Sequence, residues 1–382
     1  MGQALIEHGV LLELFEESAL EAEEFAKKVG VKVERVEQWL EGLAKPTFKQ
    51  AEKIARVLQV PFGYLFLKQL PKDDIKLPDL RTVGGVRAAD LDKNFQDLLK
   101  DVLFKHDWFV DFREEIGFDP LPFVGRFTVE SSSAVVAQDI AQTLDLTHDH
   151  RLTNGNWEDF LNLLITKAEQ AGVWVMRSGV VGNSTNRTLS VEQFRGFAIS
   201  HNLAPLVFLN GRDAKAAQIF SLAHELAHVW LGESGVSNSN ILRAENISHQ
   251  QIEAKCNAIA AEFLTPEDLF QNVWRADQSL DVNADTISRE FKVSPIVGAR
   301  RAFDLGFVSR AEYQAFAKAQ QERWASRQES SGGNFYATVP VRNGKVFTQS
   351  VISQALSGRV LLRNAARLLN VKPASVIRLG QV

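Results

Sequence analysis

Ser221-Leu-Ala-His-Glu-Leu-Ala-His-Val-Trp230 carries the strongest signal in the chain. Its spacing is His224-Glu225-x-x-His228. On an α-helix two residues four apart differ by only about 40° in direction and one turn in height, so both imidazoles lie on one face. Such a pair can bind one zinc ion, with Glu225 alongside to act on a water molecule. The neighbours Phe220, Leu222, Ala223, Leu226, Ala227, Val229 and Trp230 are all apolar, which marks a helix inside a core. The spacing arises by chance in roughly one per cent of chains of this composition, so a third ligand is needed to give it weight. Glu253 supplies one, on a stretch (252–264) that reads as a helix with a small-residue face of Ala254, Ala258 and Ala261. Glu245 competes for the role. Two His and one Glu leave a fourth position open for water. Asn257, one turn beyond Glu253, is placed to fix the tautomer of His224 or His228. His201, His249 and Tyr313 are the candidates for stabilising an oxyanion.

Upstream of this helix, 172–176 (GVWVM), 196–199 (GFAI) and 205–209 (PLVFL) read as strands bounded by Gly, Asn and Pro. Residues 89–117 and 134–171 have helical periodicity, with Trp108 and Phe109 packing inwards, and helices resume from about 214 to 319. In 1–70 the apolar residues Phe25, Ala26, Val29, Val36, Trp39, Leu40, Ile54, Ala55 and Leu58 recur at helical intervals, with Gly30 and Gly42 at helix ends. Pro71, Pro78, Gly84 and Gly85 mark a linker, and Ser330-Ser-Gly-Gly333 a flexible break.

The chain has 382 residues, 45% hydrophobic and 24% charged. That is room for two or three folded domains and excludes disorder along the whole length. Apolar runs such as 204–209 stop far short of the ~18 residues of a spanning helix, so no membrane role is expected. Residues 1–15 hold Glu7, His8 and Glu13 but no Lys or Arg, unlike the basic start of a secretory signal, and a cytoplasmic location is expected. Cys256 is the single cysteine, which excludes an internal disulfide and a Cys-rich zinc ribbon. The net charge of −4 is unevenly spread: 330–382 carries Arg342, Lys345, Arg359, Arg363, Arg367, Lys372 and Arg378 and no acid. Such a block suits nucleic acid or an acidic protein face. Within it, 359–379 shows an apolar face at helical spacing and an Asn-Val-Lys-Pro turn, which reads as a second helix-turn-helix fragment.

His224–His228, followed by Glu253-x-x-x-Asn257-x-x-Ala260-Ala-Glu-Phe-Leu-Thr-Pro266, resembles the ImmA/IrrE family of zinc metallo-endopeptidases over roughly residues 75–330. The resemblance implies a zincin-like metallopeptidase core, Zn2+ bound by His224, His228 and Glu253, and Glu225 as catalytic base. It implies a protein substrate, typically a helix-turn-helix repressor whose cleavage switches on genes. Cys256, Ile259 and Thr265 stand where the family usually has Ala, Phe and Met. Phe25-Ala-Lys-Lys-Val-Gly-Val31, Val36, Trp39, Gly42, Pro46, Ile54, Ala55 and Leu58 resemble an XRE-type helix-turn-helix domain. There 32–41 would be the recognition helix, with Lys32, Glu34, Arg35 and Gln38 near bases. Glu34, Glu37 and Glu41 oppose phosphate contact on the same segment. Long members of this layout resemble the antitoxin or regulator of a toxin–antitoxin pair, sometimes beside a PIN-like ribonuclease toxin, in which the peptidase fold mainly binds its partner. The expected organisation is a helix-turn-helix bundle at 1–70, a linker at 71–88, the metallopeptidase domain at 89–329 and a basic C-terminal helical segment at 330–382. The fold class is mainly α with a small β-sheet (α+β).

Overall fold

The computed structural model describes residues 2–18, 20–58, 60–70, 92–147, 149–150, 155–237, 247–324 and 335–381. The expected linker at 71–88, the break at 330–333 and the alternative ligand Glu245 lie outside them. The chain divides into two units, Met1–Lys76 and Leu77–Val382.

The first unit is a bundle of helices α1 (His8–Glu17), α2 (Ala22–Val29), α3 (Val33–Leu40) and α4 (Phe48–Leu58), followed by a 3-10 turn at Phe62–Phe66. Its core is built from Phe25, Val29, Val36, Trp39, Ile54 and Leu65, all fully buried. Gly30 ends α2 in the left-handed conformation, at φ 79°. This lets the chain turn within a few residues into α3, as a helix-turn-helix requires.

The second unit begins with α5 (Lys93–Glu115), α6 (Ser133–Thr143) and α7 (Trp157–Gln170). Strands β1 (Trp174–Ser178), β2 (Gly196–Ile199) and β3 (Leu206–Asn210) follow, then α8 (Lys215–Leu231) and β4 (Gly235–Ser237). The chain continues with α9 (Ile247–Leu264), α10 (Glu267–Val273), α11 (Leu280–Phe291), α12 (Pro295–Asp304) and α13 (Arg310–Trp324). It closes with α14 (Phe335–Asn343), α15 (Lys345–Leu356), α16 (Leu362–Leu368) and α17 (Pro373–Leu379). The sheet order is β1-β3-β2-β4. β1 runs parallel to β3, with Trp174 opposite Leu206, and β2 is antiparallel to both β3 and β4. β1 starts two residues later than the sequence reading because Gly172, at φ 102°, still belongs to the turn leaving α7. The three-residue β4 was not foreseen.

Alternation along the strands sends successive side chains to opposite faces. Val175, Ala198, Val207 and Leu209 enter one core with α6, α7, α8 and α9. Trp174, Met176, Phe197, Ile199, Leu206 and Phe208 enter a second core with α5 and the helices of 335–381. The basic segment therefore does not trail from the fold. It forms the layer that covers the far face of the sheet, with Phe347 stacked on Trp174 at 4.4 Å between ring centres. Burial of each such aromatic side chain contributes about 1.5–3 kcal/mol. At Gly344 (φ 81°) a Cβ would lie 2.5 Å from the Trp174 ring, so only glycine lets α14 pass into α15 there. Just before it, Trp174 Nε1 donates to the Asn343 carbonyl at 2.6 Å.

Glu169, near the end of α7, ties this layer down. Its Oε1 accepts the Lys345 N–H at 2.9 Å. Burial pushes its pKa from 4.5 up to about 7, against the hydrogen bonds from backbone N–H groups that favour the charged form. A carboxyl whose folded pKa is raised holds its proton more tightly in the folded state. Its contribution is therefore fully present below about pH 4.5 and lost as the pH rises through about 7. Thermal melts between pH 4.5 and 8 should show Glu169→Gln flattening this loss and melting a few degrees above wild type at pH 8. Equal destabilisation at both ends of the range would contradict the assignment.

Candidate functional site

Helix α8 carries His224, Glu225 and His228 and is buried on every side, from Ala216 to Leu231 apart from the half-buried Ala217 and Phe220. It packs against α9, α7, α6 and strands β2 and β3. Trp230 anchors its end by donating Nε1–H to Asp139 Oδ1 at 2.7 Å. The local spacing puts the imidazoles one turn apart, and their Nε2 atoms are 3.2 Å from each other.

Helix α9 brings Glu253 across. One of its oxygens lies 3.2 Å from His224 Nε2, and the other lies 3.2 Å from His228 Nε2. Asn257, one turn further on, places Oδ1 3.0 Å from His224 Nδ1. Accepting the Nδ1 proton leaves the Nε2 lone pair of His224 directed at the cluster. All four groups are buried, with exposures of 4% for His224, 0% for Glu225, 1% for His228 and 5% for Glu253. Burial works to lower the His224 pKa, but hydrogen bonding to Glu253 and the charges of Glu225 and Glu253 hold it above its ordinary value. Burial works to raise the Glu253 pKa, and the hydrogen bonds from the two imidazoles outweigh it, keeping the carboxylate ionised.

These residues fit a metal ion. Ligand bonds of about 2.0–2.1 Å in tetrahedral geometry place ligand atoms about 3.3 Å apart, close to the 3.2 Å separations found here. Two neutral imidazoles and one carboxylate are a donor set suited to a borderline-soft divalent ion. Cys256 adds a thiol: His224, His228 and Cys256 offer ligand atoms all within 4.8 Å of one another. Burial, with the charges of Glu253 and Glu225, pushes this thiol well above its usual pKa, so it stays protonated in the metal-free protein.

Glu225 acts on His224 through its charge. Its carboxylate lies against β2, where a Cβ on Gly196 would sit 2.9 Å from Glu225 Oε1. Gly196 is thus part of the site, a role that its place at the head of an apolar strand does not reveal. Two of the oxyanion candidates have contacts of their own elsewhere. The His201 ring packs edge-on to His106, with centres 5.6 Å apart, and its Nδ1 accepts the Leu203 and Ala204 N–H groups. Tyr313 stacks on Phe303 at 5.7 Å. The side chain of His249 lies outside the described residues.

Residues 168–303 match the family model Peptidase M78, the IrrE N-terminal-like domain. This region is of the metallopeptidase type. Residues 11–65 match a helix-turn-helix family model, so the resemblance read from the sequence holds for both parts. Residues 343–381 match a domain of unknown function, DUF8813. No curated protein matches the chain. Within the matched span α3 follows α2 across the Gly30 turn, with Lys32, Glu34, Arg35, Glu37 and Gln38 exposed. Arg35 donates to Gln38 Oε1 at 3.0 Å. Among the described residues no helix is long and apolar enough to cross a membrane.

A divalent metal ion should bind once per chain and raise the melting temperature, because only the folded state assembles the cluster. Ligand at a hundred times its Kd stabilises by about 2.7 kcal/mol. Glu253→Ala should lose both the bound ion and the increment, as measured by metal analysis and thermal melts. Full retention would move the third ligand elsewhere.

Proposed function

We propose that the chain is a zinc-dependent endopeptidase that cleaves a specific regulatory protein, a helix-turn-helix repressor by class, and so controls gene expression. His224, His228 and Glu253 hold the zinc, and Glu225 is the catalytic base. The observation that carries this reading is the division of labour between the two buried glutamates. Glu253 bridges the imidazoles, whereas Glu225, on the same helix as the histidines, faces β2 at Gly196.

Zinc bound there supplies a Lewis acid that polarises the scissile carbonyl and acidifies water. Glu225 takes the proton of the attacking water on its carboxylate and passes it to the leaving amine. Asn257 holds the His224 ring in the tautomer that keeps Nε2 free of a proton. β4 ends the strand order of the described sheet, and a Cβ on its Gly235 would lie 3.6 Å from His228 Cε1. An extended substrate segment pairing along β4 would pass beside the cluster, as in strand addition to a sheet edge.

A second reading makes the chain the regulator of a toxin–antitoxin pair, with the peptidase fold serving to bind its partner. The near-complete burial of the site favours it, since a substrate backbone has to reach groups that are at most 5% exposed. Glu225→Gln separates the two. The variant should keep its metal and its melting temperature while cleavage of a co-expressed partner repressor or toxin falls by about 10²–10⁴-fold. An intact biological output in Glu225→Gln would leave partner binding as the function.

A further inference from the structure

The basic residues of 335–381 play no part in the peptidase chemistry, and the fold gathers several of them on one surface. Lys100 of α5, Asn183 and Arg187 of the loop after β1, Arg363 and Arg367 of α16, and Asn370 beyond it line an open hollow of about 710 Å³. Two carboxylates also line it, and both are engaged within the wall. Asp97 accepts from Arg187 at 2.6 Å. Asp101 accepts from Lys105 at 2.6 Å and from Asn370 at 2.8 Å. Arg363 and Arg367 stand one turn apart and are exposed. Arg367 is held by stacking over the Phe104 ring at 4.2 Å, which positions the guanidinium without neutralising it. Arg378 is held in the same way over Tyr336, at 4.4 Å. No acid occurs anywhere in 335–381.

The backbone around the hollow adds a second observation. α16 and α17 are two short helices joined by the four residues 369–372, with Asn370 left-handed at φ 55°. α15 packs on both. This is the connectivity of a helix-turn-helix. The exposed side of α17 and its cap carries Lys372 and Arg378.

We infer that this surface binds the phosphate backbone of double-stranded DNA. Two exposed guanidinium forks one turn apart, in a segment with no acid, suit the repeated phosphates of a duplex backbone, which each fork can engage bidentately. The N-terminal helix-turn-helix offers the poorer contact, because Glu34 and Glu37 are exposed on α3 beside Arg35. The inference is independent of the metal site.

The test uses the full chain and a fluorescein-labelled duplex of mixed sequence, with binding followed by anisotropy from 50 to 200 mM salt. Each phosphate contact contributes about 0.9 to the log–log salt slope. Arg363→Ser with Arg367→Ser should therefore flatten the slope by about two units. Arg363→Lys with Arg367→Lys keeps the charge and should retain most of the slope, which separates lost contacts from lost folding. Lys32→Ser with Arg35→Ser should change the slope by less than one unit. The inference is overturned if wild type does not bind the duplex, or if the N-terminal pair carries the slope. It is also overturned if polyglutamate displaces the duplex at equal charge concentration, which would assign the surface to an acidic protein.

Discussion

Every residue of β2 and β3 is buried. A strand that is apolar on both faces cannot rest against a single layer of helices, because the second face would stay in water. The larger unit answers with two cores. One holds α8 and the cluster it carries. The other is closed by α5 and by helices from the far end of the chain. The DUF8813 match at 343–381 is thus structurally bound to the peptidase sheet. Through Trp174, Asn343 and Glu169, damage to those helices reaches the sheet itself.

Within the first core the cost of burying two imidazoles and two carboxylates shapes everything nearby. Unpaired charges there would be strongly destabilising. Glu253 faces both histidines, and Asn257 satisfies the far nitrogen of one of them. The absence of a side chain at Gly196 makes room for Glu225. Cys256, where the resembling family has Ala, puts a polarizable thiol on the rim of the cluster without disturbing the apolar packing of α9 against α8.

Charge is divided as sharply as hydrophobicity. The N-terminal helix-turn-helix mixes acids and bases along the exposed side of α3. The second helix pair, α16 and α17, is purely basic and sets two of its arginines on aromatic rings. The two pairs share a connectivity while differing in the field they present, and the field governs which anionic partner approaches.

The sequence by itself determined what depends on neighbours within a turn or two. His224 and His228 share a face because 3.6 residues make a turn, and the all-apolar flanks of α8 required a buried helix. Strands β1 to β3, the N-terminal bundle and the Gly30 cap were legible from local periodicity and backbone freedom. Tertiary structure alone decided the rest. Glu253 is 25 residues from His228, and no local rule brings it to both Nε2 atoms. Gly196 and Cys256 join the site only because β2 and α9 pack on α8. The basic block of 335–381 read as a helical segment facing an anionic partner, and local periodicity could not show what its apolar face packs against. Burial of that face becomes necessary only once the sheet exposes a second apolar face. Contacts between residues distant in sequence depend on which surfaces must leave water together, and that is a property of the folded whole.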